Sequence, residues 1–347
     1  MMPSSESTTD DGPLPLRLVK SIFDHADRIR HLSLQFVGQG EGAAFASGFP
    51  PFRGRFVSLT HLLIEIYQSG HEVHDLLNAF STSPLCSIEL YNATATSSAI
   101  FPYSRLSNIG IDDGDFSLFT DILSKARSLE HARFVLRKNT GLPNDISIQP
   151  IAKLRSLEID MHVGLAYSRD YIRLFNLLSC PALTSLTFSM FPERSKVFVH
   201  TFVGFIKRCP KIQSFTLGAT EFEDEDLLMI LAQMPELVFL DVLLPYGVTS
   251  RFMQELGSAR IVPKLKDLRG DIFSKRFDWN AFVDMVDCRW AMPNRSLRSV
   301  YWISDHVRVP ESVLPWVRKL QREGLAIRIY VEMDLQDDEY FAYEVQG

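Results

Sequence analysis

Cysteine is scarce in this sequence, and so are long apolar runs and basic charge. Four cysteines, Cys86, Cys180, Cys209 and Cys288, are spread over 347 residues with no CxxC pair. That pattern argues against a disulfide framework and against the common zinc-ligand spacings. No stretch approaches the roughly 18 apolar residues needed to span a bilayer, so no membrane partner is expected. The 36 Lys and Arg residues are outnumbered by 42 Asp and Glu, leaving a net charge of −6. A nucleic-acid partner normally calls for a basic stripe, and none is expected here. The N-terminus, Met1-Met2-Pro3-Ser4-Ser5-Glu6, is polar and lacks the apolar core of a signal peptide, which points to the cytosol or nucleus. GxSxG, P-loop and kinase signatures are missing as well, so no enzyme and no cofactor is expected.

Three near misses deserve their physical reasons. Gly38-Gln39-Gly40-Glu41-Gly42-Ala43 follows an apolar stretch and fits GxGxxA. A pyrophosphate cradle needs a helix N-terminus directly after the glycines. Here Phe49-Pro50-Pro51-Phe52 intervenes and cannot sustain one. His71-Glu72-Val73-His74 places its histidines three apart, with no third ligand in view. The acidic run Glu221–Asp226 lacks the alternating oxygen ligands and central glycine of a calcium loop and reads as the charged first turn of a helix.

What the sequence does have is a repeated phrase. Pro181-Ala-Leu183-Thr-Ser-Leu186-Thr-Phe188, Pro210-Lys-Ile212-Gln-Ser-Phe215-Thr-Leu217 and Pro235-Glu-Leu237-Val-Phe-Leu240-Asp-Val242 share Pro-x-φ-x-x-φ-x-φ, with φ apolar. The steps between them are about 29 and 25 residues, within the range of leucine-rich repeats. The core of the phrase recurs upstream from Ile29, Leu59, Leu85, Leu106, Leu129 and Leu154, and downstream from Leu265 and Leu297, before an alternating strand at Leu325. Between phrases the apolar period changes from 2 to 3.6, so each strand is followed by a helix. Helices are expected near 115–127, 168–179, 197–208, 249–257, 279–290 and 311–323, with Thr220 as N-cap and Pro235 as terminator of another. The expected fold class is α/β: a leucine-rich-repeat solenoid with a curved parallel sheet on the concave side and helices on the convex side. About twelve units would fill residues 13–333, after a disordered 1–12 and before an acidic tail at 334–347. That tail reads either as a capping strand with a frayed end or as a short docking peptide. Segments 38–56 and 91–105 are expected to be loops, and Cys180 and Cys209, both preceding a proline, to be buried at a helix-to-strand corner.

A repeat array is far more often a surface for another macromolecule than an active site. Strand alternation turns the third, fifth and seventh positions of the phrase to the concave side. They read His131, Arg133 and Val135; Ser156, Glu158 and Asp160; then small polar residues from Ser185 to Gly218. Beyond these lie Phe239, Asp241 and Leu243; Asp267, Arg269 and Asp271; Ser299, Tyr301 and Ile303. Aromatics and arginine flanked by acids are common interface anchors. Glu158, Asp160, Phe239, Asp241, Asp267, Arg269, Asp271 and Tyr301 are therefore the candidate partner-binding residues. The alternative is a merely solvated sheet face with incidental aromatics.

The phrases beginning Cys180-Pro181, Cys209-Pro210 and Met234-Pro235, with Phe282–Trp290 and Leu297-Arg-Ser-Val300, resemble the F-box/leucine-rich-repeat proteins of mushroom-forming fungi. The resemblance covers about 20–333. It implies repeats that hold a protein substrate and an N-terminal F-box that docks on the adaptor of a cullin–RING ubiquitin ligase. Leu14-Pro15-Leu16-Arg17-Leu18 through Ile22-Phe23 looks like the opening of an F-box, yet the first repeat begins by Ile29. Residues 14–27 then read either as a helix capping the first repeat or as a degenerate or truncated F-box.

Overall fold

The computed structural model describes residues 22–37, 54–67, 74–94, 101–138, 141–142, 147–161, 168–190, 196–218, 222–244, 249–272, 277–293, 296–305, 309–333 and 341–344. Their strands form one 13-stranded sheet in which spatial order equals chain order. In sequence they are β1 (His31–Phe36), β2 (His61–Ile66), β3 (Ser87–Thr94), β4 (Asn108–Asp115), β5 (His131–Lys138), β6 (Ser156–Met161) and β7 (Ser185–Met190). There follow β8 (Ser214–Gly218), β9 (Phe239–Leu244), β10 (Asp267–Ile272), β11 (Ser299–Asp305), β12 (Ala326–Met333) and β13 (Phe341–Glu344). Strands β1 to β12 are parallel to their neighbours, and β13 returns antiparallel on β12. The helices are α1 (His74–Ala79), α2 (Phe116–Lys125), α3 (Ser168–Leu177), α4 (Lys196–Lys207), α5 (Asp224–Leu231), α6 (Ser250–Gly257), α7 (Trp279–Trp290) and α8 (Val313–Arg322). This is a leucine-rich-repeat solenoid, one strand per repeat. Parallel strands are about 4.8 Å apart whereas a helix is about 10 Å across, so a sheet backed by helices must curve with its free face concave.

The repeat phrase explains the register. From β1 to β10 the residue before the strand offers its carbonyl to two successive N–H groups of the next repeat: Arg30 to Thr60 and His61, Thr184 to Gln213 and Ser214, Lys266 to Arg298 and Ser299. Hydroxyls reinforce several steps, with Thr60 Oγ1 donating to Arg30 O at 3.2 Å and Thr184 Oγ1 to Arg155 O at 3.1 Å. From there the apolar positions align in rows. Leu157, Leu186, Phe215, Leu240, Leu268, Val300 and Ile327 are mutual register partners and all are buried. Behind β7 the core is aromatic: Phe175 packs edge-on to Phe188 at 5.5 Å and to Phe202 at 5.2 Å.

Two arginines tie the helix layer together. Arg289 of α7 is fully buried and donates to the carbonyls of Leu256 (2.6 Å), in the last turn of α6, and of Ile261 (3.1 Å) and Val262 (3.2 Å), in the turn after it. Burial lowers its pKa to about 10. Arg208, just past α4, does the same for α3, donating to Leu178 O at 2.8 Å and to Phe175 O. Both supply side-chain donors to carbonyls at the end of the preceding repeat's helix and in the turn that follows it.

Some expectations need adjusting. Strand β3 runs on to Thr94, inside the segment expected to be a loop. Helix α5 is capped by Glu223, whose N–H donates to the Asp226 carboxylate at 3.3 Å. Thr220 lies outside the described residues, and the helix ends at Leu231, before Pro235. Val135 occupies a concave position yet is buried. Of the tail, 341–344 forms β13; residues 1–12, 334–340 and 345–347, the glycine run 38–43 and His71 lie outside the described residues. Cys180 and Cys209 are both buried and lie beside one another.

Candidate functional site

The concave face carries two clusters separated by a stretch of small residues. The first is built on β9 to β12. Register sets Asp241, Arg269, Tyr301 and Arg328 in one row, with Phe239, Asp267 and Ser299 in the row before it. The Arg269 guanidinium lies between two rings, 5.1 Å from the Phe239 centroid and 5.8 Å from that of Tyr301. Tyr301 in turn packs on Tyr330 at 5.0 Å. The result is a diagonal ridge over four strands, Phe239–Arg269–Tyr301–Tyr330. Phe239 and Tyr301 are half-buried because they sandwich the guanidinium, while Arg269 itself is exposed. Each such cation–ring contact contributes about 0.5–1 kcal/mol at an exposed site.

Three carboxylates flank this ridge. Asp267 accepts from Ser299 Oγ at 2.6 Å. Burial pushes the Asp241 carboxyl up from its ordinary value, and Arg269 pulls it partly back. Asp271 is the register partner of Leu243 on one side and Ile303 on the other.

The second cluster centres on Arg133 of β5. Its guanidinium bonds Asp112 Oδ1 at 2.6 Å and Glu158 Oε1 at 3.1 Å and lies 5.6 Å from the Tyr91 ring centroid. Tyr91 donates to Glu89 Oε2 at 2.9 Å, and that hydrogen bond is the main reason its phenol is held above its usual pKa. Burial disfavours the charge on both Asp112 and Arg133; in Arg133 the neighbouring carboxylates outweigh it and strengthen the base.

Of the candidate residues, Phe239, Asp241, Asp267, Arg269, Asp271 and Tyr301 come together on neighbouring strands. Glu158 and Asp160 lie apart on β6, Glu158 in the Arg133 cluster and Asp160 two residues beyond it in the same strand. Sequence reasoning passed over Glu89, Tyr91 and Tyr330; the offset rule counted from Leu85 reaches the first two, whereas counted from Leu325 it lands on Ile327, Ile329 and Val331 and misses Tyr330. Asp112 was passed over too, although the same offset counted from Leu106 reaches Asn108, Gly110 and Asp112. Among the described residues no group of His, Cys, Asp and Glu could hold a metal ion, and no helix is long and apolar enough to cross a membrane.

No family model and no curated protein matches the sequence. Among solved structures the chain is similar to a Bacteroides fragilis protein at 12% identity and a TM-score of 0.39, covering 88% of this chain and 75% of that one. It is also similar to the TLR13–ssRNA13 complex at 15% identity and a TM-score of 0.36, and to the Drosophila Toll–Spatzle complex at 12% and 0.30. These two alignments cover 79% and 87% of this chain but only 36% and 50% of the chains matched.

Proposed function

We propose that this protein is a non-enzymatic recognition scaffold that binds a protein partner through its concave face. The observation that carries the reading is the Phe239–Arg269–Tyr301–Tyr330 ridge, an aromatic and guanidinium anchor of the type that dominates protein interfaces. The candidate contacts are Phe239, Asp241, Asp267, Arg269, Asp271 and Tyr301, with Glu158 and Asp160 across the face. The test is the Phe239→Ala/Tyr301→Ala double variant. It should keep the circular dichroism spectrum of the parent and lose the partners that cross-link to the concave face. Retention of those partners by a folded double variant would refute the assignment.

A second reading is substrate-recognition subunit of a cullin–RING ubiquitin ligase, the role implied by resemblance to the fungal F-box/leucine-rich-repeat proteins. Phe23 weighs against adaptor docking by residues 14–27. It is buried and stacks edge-on to Phe56 at 6.0 Å, which supports a cap on the first repeat. Co-purification with the ligase adaptor separates the two readings.

A further inference from the structure

Between the two clusters the concave face is floored by small side chains. On β7 and β8 the outward residues are Ser185, Thr187, Ser189, Ser214, Thr216 and Gly218, in direct register. No side-chain hydrogen bond to another described residue engages any of these hydroxyls. Gly218 deepens the floor, since a Cβ there would stand 3.2 Å from Ser189 Oγ and 3.8 Å from Leu243. One wall is Glu158 and Asp160 of β6; the other is Asp241 of β9, backed by Asp267 and Asp271 of β10. Three strand steps separate the walls, about 14 Å.

Charge on this trough is one-sided. On its rims Arg133 is engaged by Asp112 and Glu158, and Arg269 lies between Phe239 and Tyr301 beside Asp241. Asp241 is half-buried and has no hydrogen bond or ion pair among the described residues. Among the described residues, the outward positions of β6 to β9 carry carboxylates and hydroxyls and no cation.

We propose that this trough seats an extended, lysine- or arginine-bearing segment of a partner protein. The proposal rests on the reading that the concave face recognises protein. An extended segment places residues i and i+2 about 6.6 Å apart on one side. Glu158 and Asp160 present carboxylates at that same spacing, so basic residues at i and i+2 face the β6 wall. The residue between them turns to Asp241, and the segment's backbone N–H and C=O groups meet the hydroxyl floor. A width of about 14 Å takes one extended chain with a side chain on either hand.

The probe is a fluorescein-labelled peptide of alternating lysine and serine, with a glutamate–serine peptide as control, both titrated against the full chain. The lysine peptide should bind more tightly than the control, with an affinity that falls as salt rises. Glu158→Gln/Asp160→Asn/Asp241→Asn should weaken it about tenfold or more. Thr187→Trp, which fills the floor without touching the core, should weaken it with every carboxylate in place. Equal binding of the two peptides, or a triple variant that binds like the parent, overturns the proposal. If the triple variant keeps cross-linked partners that Phe239→Ala/Tyr301→Ala loses, the basic segment is wrong and concave recognition stands. If both variants keep them, both readings fall.

Discussion

Replacing Gly270 by alanine should destabilise the array by about 1–2 kcal/mol, although alanine is the better strand residue. Gly270 sits on the inward face of β10, opposite Val242 and Trp302. The Trp302 indole occupies the volume a side chain would need: an added Cβ would stand 2.5 Å from Cζ3, 2.6 Å from Cη2 and 3.0 Å from Cε3. Carbon atoms pack best at about 3.5–4.0 Å, so the ring must retreat by about 1 Å. It has little room, being fully buried with Phe282 at 4.8 Å and Phe277 at 5.8 Å between ring centroids. Overpacking of this kind costs about 1–3 kcal/mol. Relief of the glycine's conformational entropy returns about 0.5–1 kcal/mol. Urea unfolding followed by tryptophan fluorescence and by circular dichroism measures the difference. Adding Trp302→Leu should make Gly270→Ala tolerable, a coupling of at least about 0.5 kcal/mol in a double-mutant cycle. A Gly270→Ala protein as stable as its parent would refute the packing argument.

Leu240→Asp places an unpaired carboxylate in the fully buried row and should cost several kcal/mol, read as insolubility or a collapsed thermal midpoint; a parent-like melt would mean the register is wrong. Arg289→Ala strips a buried donor from three carbonyls and should cost about 3 kcal/mol or more in urea unfolding, with Arg289→Lys recovering little because an ammonium cannot reproduce the planar fork. Because burial raises the folded-state pKa of Asp241 above 3.8, the native state holds its proton longer than the unfolded chain. Stability should then fall as pH rises through the window between 3.8 and the raised value, a slope that Asp241→Asn removes. Carboxyl NMR titration should give a midpoint above 3.8 that climbs further in Arg269→Met, since Arg269 lowers it.

The parallel ladder was legible because its signal is local. Leu183, Leu186 and Phe188 carry the strand period within one phrase, and the same phrase recurs often enough to fix a shared register with Ile212, Phe215 and Leu217. Helices from α2 to α8 were readable for the same reason, α6 and α7 to within a residue. Contacts that depend on a neighbouring repeat were not legible. Nothing in Asp267–Ile272 shows that Gly270 is small to admit the indole of Trp302. Nothing in α7 shows that Arg289 turns inward to carbonyls of the preceding repeat instead of outward to water. The ridge was half visible: its outward residues followed from alternation, whereas the insertion of Arg269 between two rings is a matter of rotamers. Tyr330 was hidden because the last strand is out of step with the phrase: Ala326, not Ile327, pairs with Ser299, so a count from Leu325 lands on the inward residues.

The arginine staples have a mechanical consequence. They join α3 to α4 and α6 to α7, and those pairs also pack most closely; α5, only eight residues long, touches its neighbours sparingly. The sheet is continuous, but its backing is uneven. Bending costs least where few buried contacts must be disturbed. Within the stretch from α3 to α7, bending should cost least at β8 and β9, beneath the Thr216 floor and the Asp241 wall. Any flattening of the sheet within the stretch from α3 to α7 should therefore widen the trough as well.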